Sequence, residues 1–198
     1  MYVINSNFTI VKSIGDLSAS RIGALKEALG SKFPEIIQPN EETLIFRRGV
    51  SALIISPDQI IYGTQGSVEE FKISDIADLL VATNEILGLS QKANAIAMRL
   101  EAIEDIQENA LERSKSMLHE ITDIFGANGV GYRFIIENDL YHGDINVEPF
   151  LKDNQKIFYG ITLQSNSTEL SSLTTSLETL FTFGTEKAQA AASKIFSL

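Results

Sequence analysis

Ile60-Ile-Tyr-Gly63 returns as Ile157-Phe-Tyr-Gly160, 97 residues further along the chain. Both copies are strand chemistry, because β-branched and aromatic residues suit a pleated, half-buried surface. Each is followed by a polar connection and then by an apolar-periodic segment, Ser74–Leu87 in one case and Ser171–Phe183 in the other. Upstream, Ile14-Gly-Asp16-Leu17 is echoed by Ile103-Glu-Asp105-Ile106. The recurrence predicts two pseudo-repeats, 1–90 and 91–198, within a single globular unit, 1–198. Chance similarity among strand-forming residues is the alternative.

Taken in order, Asn7–Ser13 has the composition of a strand and Gly15-Asp16 breaks it. Ser18 or Ser20 can cap a helix carrying Ile22, Leu25 and Leu29, which Gly30 stops. Phe33-Pro34 and Pro39-Asn40 then bracket a connection that leaves no room for a regular element. A meander of three strands follows at Thr43–Arg47, Ser51–Ser56 and Gln59–Thr64, with a linker from Gly66 to Lys72. The helix after it carries Ile76, Leu79, Leu80, Ile86 and Leu87 on one stripe and closes at Gly88.

In the second half, Ile96, Met98 and Leu100 alternate with Ala97, Arg99 and Glu101, which favours a strand over Ala95–Ala102. The run 93–106 is also compatible with a helix. One helix is expected from about Asn109 to Phe125, with Gly126 as its stop, then strands over Val130–Glu137, Tyr141–Val147 and Lys156–Gln164. The last element, about Ser171 to Phe196, is expected to be helical with a kink or break at Gly184.

The 198 residues suffice for a substantial core without staples. The chain has no cysteine, which excludes disulfides, thiolate metal sites and a cysteine nucleophile, and fits a cytoplasmic location. No apolar run approaches a membrane span, and the first residues lack the features of a signal peptide. A net charge of −10 opposes approach to nucleic acid or an anionic membrane.

Motifs for chemistry are sparse. His119-Glu120 with Asp123 resembles part of a helical metal motif, but the second histidine is missing. Tyr141-His142-Gly143-Asp144 near Asp139 has the residues of a small hydrolase or metal-dependent site, and also those of ordinary turns. Arg133, between Tyr132 and Phe134, has the chemistry to bind a carboxylate or phosphate, or to pair across strands with Glu148 or Asp144. Arg47-Arg48-Gly49 is a small basic turn. Gly126-Ala-Asn-Gly129-Val-Gly131 follows a helix and precedes a strand, the reverse of a phosphate-binding loop. No metal or cofactor is therefore expected, and the reading leans away from an enzyme.

Several strands are apolar on both faces, notably Ala52-Leu-Ile-Ile55 and Ile60-Ile-Tyr62. In a sheet with helices on one face, something must cover the other: the second half, another copy or a ligand. Tyr62, Tyr132, Phe134 and Tyr159 are the candidate lining residues, with plain core as the alternative for each.

At Gly129-Val-Gly-Tyr-Arg-Phe-Ile-Ile136, followed by Val147-Glu-Pro-Phe-Leu151, the second half resembles a sporadically distributed family of uncharacterised bacterial proteins. Its members carry an apolar-Gly-Leu-Arg-aromatic-apolar-Asn strand, a short segment with proline and a final helix. Here Tyr132 stands where leucine is usual, and Ile136 or Glu137 where Asn closes the pattern. The doubled strand–helix–strands–helix order is similar to the saddle of the TATA-box-binding protein, in topology alone.

Together these features predict an α+β protein with pseudo-duplicated β-α-β-β-β-α halves, forming one curved antiparallel sheet with helices on one face. The expected function is non-enzymatic binding, as a homodimer or with a protein partner, through the apolar sheet face or a cavity beside it. The alternatives are a nucleic-acid-binding saddle with a rim at Arg47, Arg48, Arg133 and Lys156, or a small enzyme around His142, Asp139 and Asp144.

Overall fold

The structure is a computed structural model that describes residues 1–66 and 72–196, so the expected linker between Gly66 and Lys72 lies largely outside the described residues. The first part of the chain runs β1 (Tyr2–Val11), α1 (Ala19–Leu29), β2 (Glu35–Asn40), β3 (Thr43–Arg48), β4 (Ser51–Ser56), β5 (Gln59–Gln65) and α2 (Ile73–Ile86). It continues through β6 (Lys92–Ala93), β7 (Ala95–Asp105), α3 (Ala110–Met117), α4 (His119–Phe125) and β8 (Tyr132–Glu137). It closes with β9 (Tyr141–Pro149), β10 (Lys156–Ser165), β11 (Thr168–Glu169) and α5 (Leu173–Ile195). This is a mixed α/β fold, with five helices among the described residues. Nine strands form one antiparallel sheet in the order β2-β3-β4-β5-β1-β7-β10-β9-β8, and β6 pairs with β11 alone.

Period-two burial sets one face of that sheet into the core. Phe8 and Ile10 of β1, Met98 and Leu100 of β7, and Ile161 and Leu163 of β10 are all fully or almost fully buried. The in-register residues Leu53, Tyr62, Phe8, Met98 and Leu163 carry the core across five strands. Helix α5 lies against this face, with Gly184 over Met98, Ile161 and Leu163. Helix α2 buries Ile76, Ala77 and Leu80 and packs against β5 and α5. Local groups satisfy several of the helix ends. Ser18 Oγ accepts the Arg21 N–H at the start of α1, and Asn109 Oδ1 accepts those of Leu111 and Glu112 at the start of α3. Gly126 closes α4 in the left-handed conformation at φ 59°.

The segment 93–106, compatible with either element on sequence, is strand, and its eleven-residue β7 is paired on both sides. Three expectations are corrected. Residues 35–40 form β2 in spite of Pro34 before it and Pro39 within it, because β2 is an edge strand and its register shifts between Ile37 and Asn40, around Pro39. The helix expected over 109–125 is broken at Leu118, whose φ −137° and ψ 42° are not helical. Helix α5 runs through Gly184 without a break, since that glycine serves the close approach of helix to sheet.

Candidate binding surfaces of the sheet

Tyr62, Tyr132, Phe134 and Tyr159 all project from the face that carries the core, but they do not converge. Tyr132 and Tyr159 share a cross-strand row through Val147, and Phe134 lies in the next row with Ile145 and Ile161. Tyr62 sits beyond β1 and β7, in the other part of the sheet.

Tyr159 is fully buried, and its hydroxyl donates to Glu104 Oε2 at 2.5 Å. Burial first, and the Glu104 carboxylate second, push its phenol well above the ordinary tyrosine value. The folded state thus holds this proton more tightly than the unfolded state does. The resulting stability is complete below about pH 10 and is lost as pH rises above it. Tyr159→Phe is expected to cost about 1 kcal/mol at neutral pH. It should also remove about 1.4 kcal/mol of the stability lost between pH 9 and pH 11, measured by denaturant titration across that range.

Tyr62, also buried, lines a cleft of about 690 Å³ with Lys32 and Phe33 after α1, Arg48 to Ser51 at the β3–β4 turn, and Asp75 and Leu79 of α2. Burial raises its phenol, opposed by the hydrogen bond with Ser51 and by the Arg48 charge. Tyr132 is half-buried with its hydroxyl oxygen enclosed and unpartnered, and burial raises its phenol too. Phe134 is 38% exposed at the sheet's end.

The opposite face has a different character. One row reads Ile37, Ile45, Ile54 and Ile61 across β2 to β5, then Thr9, Ala97, Gln164, His142 and Glu137 across the other five strands. The four isoleucines form an unbroken apolar stripe, and none of them is fully buried. The neighbouring row is polar at its centre, with Gly63, Asn7, Arg99, Thr162 and Asp144 in register. Gly63 faces Asn7, and Gly160 faces Asn146. In both copies of the repeated motif the tyrosine thus enters the core, while the glycine stands opposite an asparagine on the other face. At Gly63 a Cβ would collide with the Asn7 side chain.

The candidate catalytic residues are scattered. Asp144 is tied to Arg133 at 2.9 Å and to the Asn146 amide at 2.9 Å. His142 is exposed two positions away on β9, and Asp139 lies in the preceding turn. Of the two cross-strand partners open to Arg133, Asp144 is the one engaged. Among the described residues no group of three or more His, Cys, Asp or Glu could hold a metal ion, and the His119 side chain is outside them. Along the basic rim, Lys156 is paired with Asp105 and Asp153, and Arg47 donates to the Gly49 carbonyl. Arg48 is exposed and lines the Tyr62 cleft.

Two features escaped the sequence reading. Lys12, just after β1 on its core side, is buried with its amine on Asn84 and Ser90. Eight of the eleven exposed large apolar side chains among the described residues fall between Met117 and Leu151, around the edge strand β8. No described helix is long and apolar enough to cross a membrane. Neither a known protein-family model nor a curated protein matches the chain.

Proposed function

We propose that the protein is a non-enzymatic interaction protein of cytoplasmic, bacterial type, built from two pseudo-equivalent halves. Their strands join in one curved sheet with the helices on one face, a topology similar to the saddle of the TATA-box-binding protein. Support for two halves comes from the sheet order, which runs β2-β3-β4-β5-β1 on one side of the centre and β8-β9-β10-β7 on the other. The paired Gly–Asn contacts at the two Tyr-Gly motifs agree with it.

The observation that carries the functional reading is the stripe Ile37–Ile45–Ile54–Ile61 on the face away from the core. Four isoleucines in register are a costly arrangement to leave in water, and a protein surface that covers them gains their burial. The partner is another protein or a second copy. The nucleic-acid saddle is disfavoured by the net charge of −10 and by the paired state of Arg133 and Lys156.

Lysines at two positions of the stripe test the proposal. The variant Ile45→Lys/Ile54→Lys is expected to weaken partner capture or self-association by at least about tenfold, with the helical and strand circular dichroism retained. Association unchanged in a folded variant would remove the stripe from consideration. Binding to duplex DNA or RNA that falls steeply with salt would favour the saddle reading instead.

A further inference from the structure

Strand β8 ends the sheet, and its outer edge has no neighbour among the described residues. Its counterpart by position, β3, is flanked by β2, where Ile37 stands beside Ile45 on the uncovered face. The chain between α3 and β8 makes α4 and a loop, so Ile135, 67% exposed, lacks the neighbour that Ile45 has.

Hydrogen-bond phase decides which groups face outward. At the β8–β9 turn the Asn138 N–H donates to the Tyr141 carbonyl at 3.0 Å. Antiparallel pairs alternate between bonded and non-bonded, so the next bonded pairs inward are Ile136 with Gly143, Phe134 with Ile145 and Tyr132 with Val147. Arg133, Ile135 and Glu137 therefore aim their main-chain N–H and C=O groups away from β9. None of these groups bonds to another element among the described residues.

We infer that this edge is a docking site for the β8 strand of a second copy of the chain, paired antiparallel about a two-fold axis at Ile135. In that register Ile135 meets the partner's Ile135, and Arg133, whose guanidinium is held by Asp144 at 2.9 Å, stands opposite the partner's Glu137. Each outward N–H and C=O of the three residues then finds a counterpart. The same register sets Phe134 against the partner's Ile136 on the core side. Opposite charges and apolar side chains fall into facing positions by symmetry alone, as an isologous contact requires. A shift by one residue would set outward groups against inward ones, and a shift by two would set Arg133 in one direction, or Glu137 in the other, against the partner's Ile135. An uncapped, apolar edge strand with no proline or inward charge is otherwise an aggregation hazard. This rests on the interaction-protein reading and gives the self-associating surface a place distinct from the isoleucine stripe.

Because the chain contains no cysteine, a single introduced one reports the register without background. In Ile135→Cys the two Cα atoms would lie about 5.5 Å apart, within disulfide reach. In Glu137→Cys they would be displaced by about 13 Å along the strands, beyond it. Oxidation is expected to convert Ile135→Cys into covalent dimer and to leave Glu137→Cys monomeric on a non-reducing gel. Ile135→Pro removes an N–H that β9 does not use, at an edge position where proline is tolerated, and should weaken dimerisation by about tenfold or more in light scattering. Should that variant fail to fold by circular dichroism, the cysteine pair decides the question.

A wild-type chain that stays monomeric at all concentrations overturns the inference. So does a dimer that neither crosslinks in the Ile135→Cys variant nor responds to the proline. If such a dimer is lost in Ile45→Lys/Ile54→Lys, the stripe proposal stands and only the edge is excluded.

Discussion

Gly184→Leu is expected to destabilise the protein by about 3 kcal/mol and lower its thermal midpoint by about 6–12 °C. The reason is the seat of α5 on the sheet. A Cβ at position 184 would already lie 3.0 Å from Ile161 Cγ2 and Leu163 Cδ1 and 3.1 Å from Met98 Cε. All three belong to the fully or nearly fully buried core, so a four-carbon side chain has nowhere to go unless the helix lifts. Gly184→Ala is expected to be close to neutral. Its single methyl presses on the movable ends of side chains, and alanine recovers about 1 kcal/mol of helix propensity. Thr182→Leu, on the exposed side of the same helix, should stay within about 0.5 kcal/mol of wild type. Equal effects from the leucines at 182 and 184 in a thermal melt would mean that the seat is not tight.

The same glycine illustrates where sequence reasoning lost the fold. A glycine inside a helical pattern is conformationally neutral evidence: it permits a kink, and it permits a close approach. Only the side chains on the facing strands distinguish the two, and they are distant in sequence. Prolines misled in a parallel way at β2. Pro39 cannot donate to a ladder, which argues against a central strand but says nothing against an edge, and whether a strand is an edge depends on the whole sheet order. The break at Leu118 has a local cause that periodicity does not register. Ser114 and Ser116 return hydroxyl bonds to the carbonyls of Leu111 and Arg113, competing with the helix ladder, and Ser114 also accepts the Val130 N–H at the entry to β8.

Legible features were those with a short period and a local stop. The meander from Thr43 to Gln65 and the helices stopped by Gly30 and Gly88 lie where alternation and glycine put them, within one residue at most boundaries. For binding, the sequence identified that strands such as Ala52–Ile55 are apolar on both faces. It did not separate the aromatic residues of the core face from the isoleucines of the other. Tyr62 and Tyr159 drew attention as large amphipathic side chains, and the structure buries both. Ile37, Ile45, Ile54 and Ile61 are ordinary strand residues one strand at a time. They become a stripe only once register brings them side by side, and register is a property of pairs of strands.

Lys12→Met is expected to cost about 1–3 kcal/mol, although it preserves the apolar stem of the side chain. Alternation along β1 sends position 12 to the core side, where the lysine is only 4% exposed. Its amine donates to Asn84 Oδ1 at 2.7 Å and to the Ser90 carbonyl at 2.5 Å. Asn84 is itself fully buried, and its amide donates to the Ser90 carbonyl at 3.2 Å. The lysine thus pins the turn that carries the chain from α2 toward the central strand β7, at the price of a buried charge; burial pushes its amine below the ordinary lysine value. Methionine leaves the Asn84 oxygen enclosed without its donor, which is where the expected loss arises. Asn84→Leu alone should be at least as damaging, because it takes the side-chain acceptor away from a buried ammonium. The double variant Lys12→Met/Asn84→Leu removes side-chain donor and acceptor together, and the group left without them is the carbonyl of the exposed Ser90, so the two losses overlap. Its loss in urea denaturation should therefore fall clearly short of the sum of the single losses. Additive losses, or a methionine variant as stable as wild type, would show that the stem of Lys12 carries its contribution and that the amine does not.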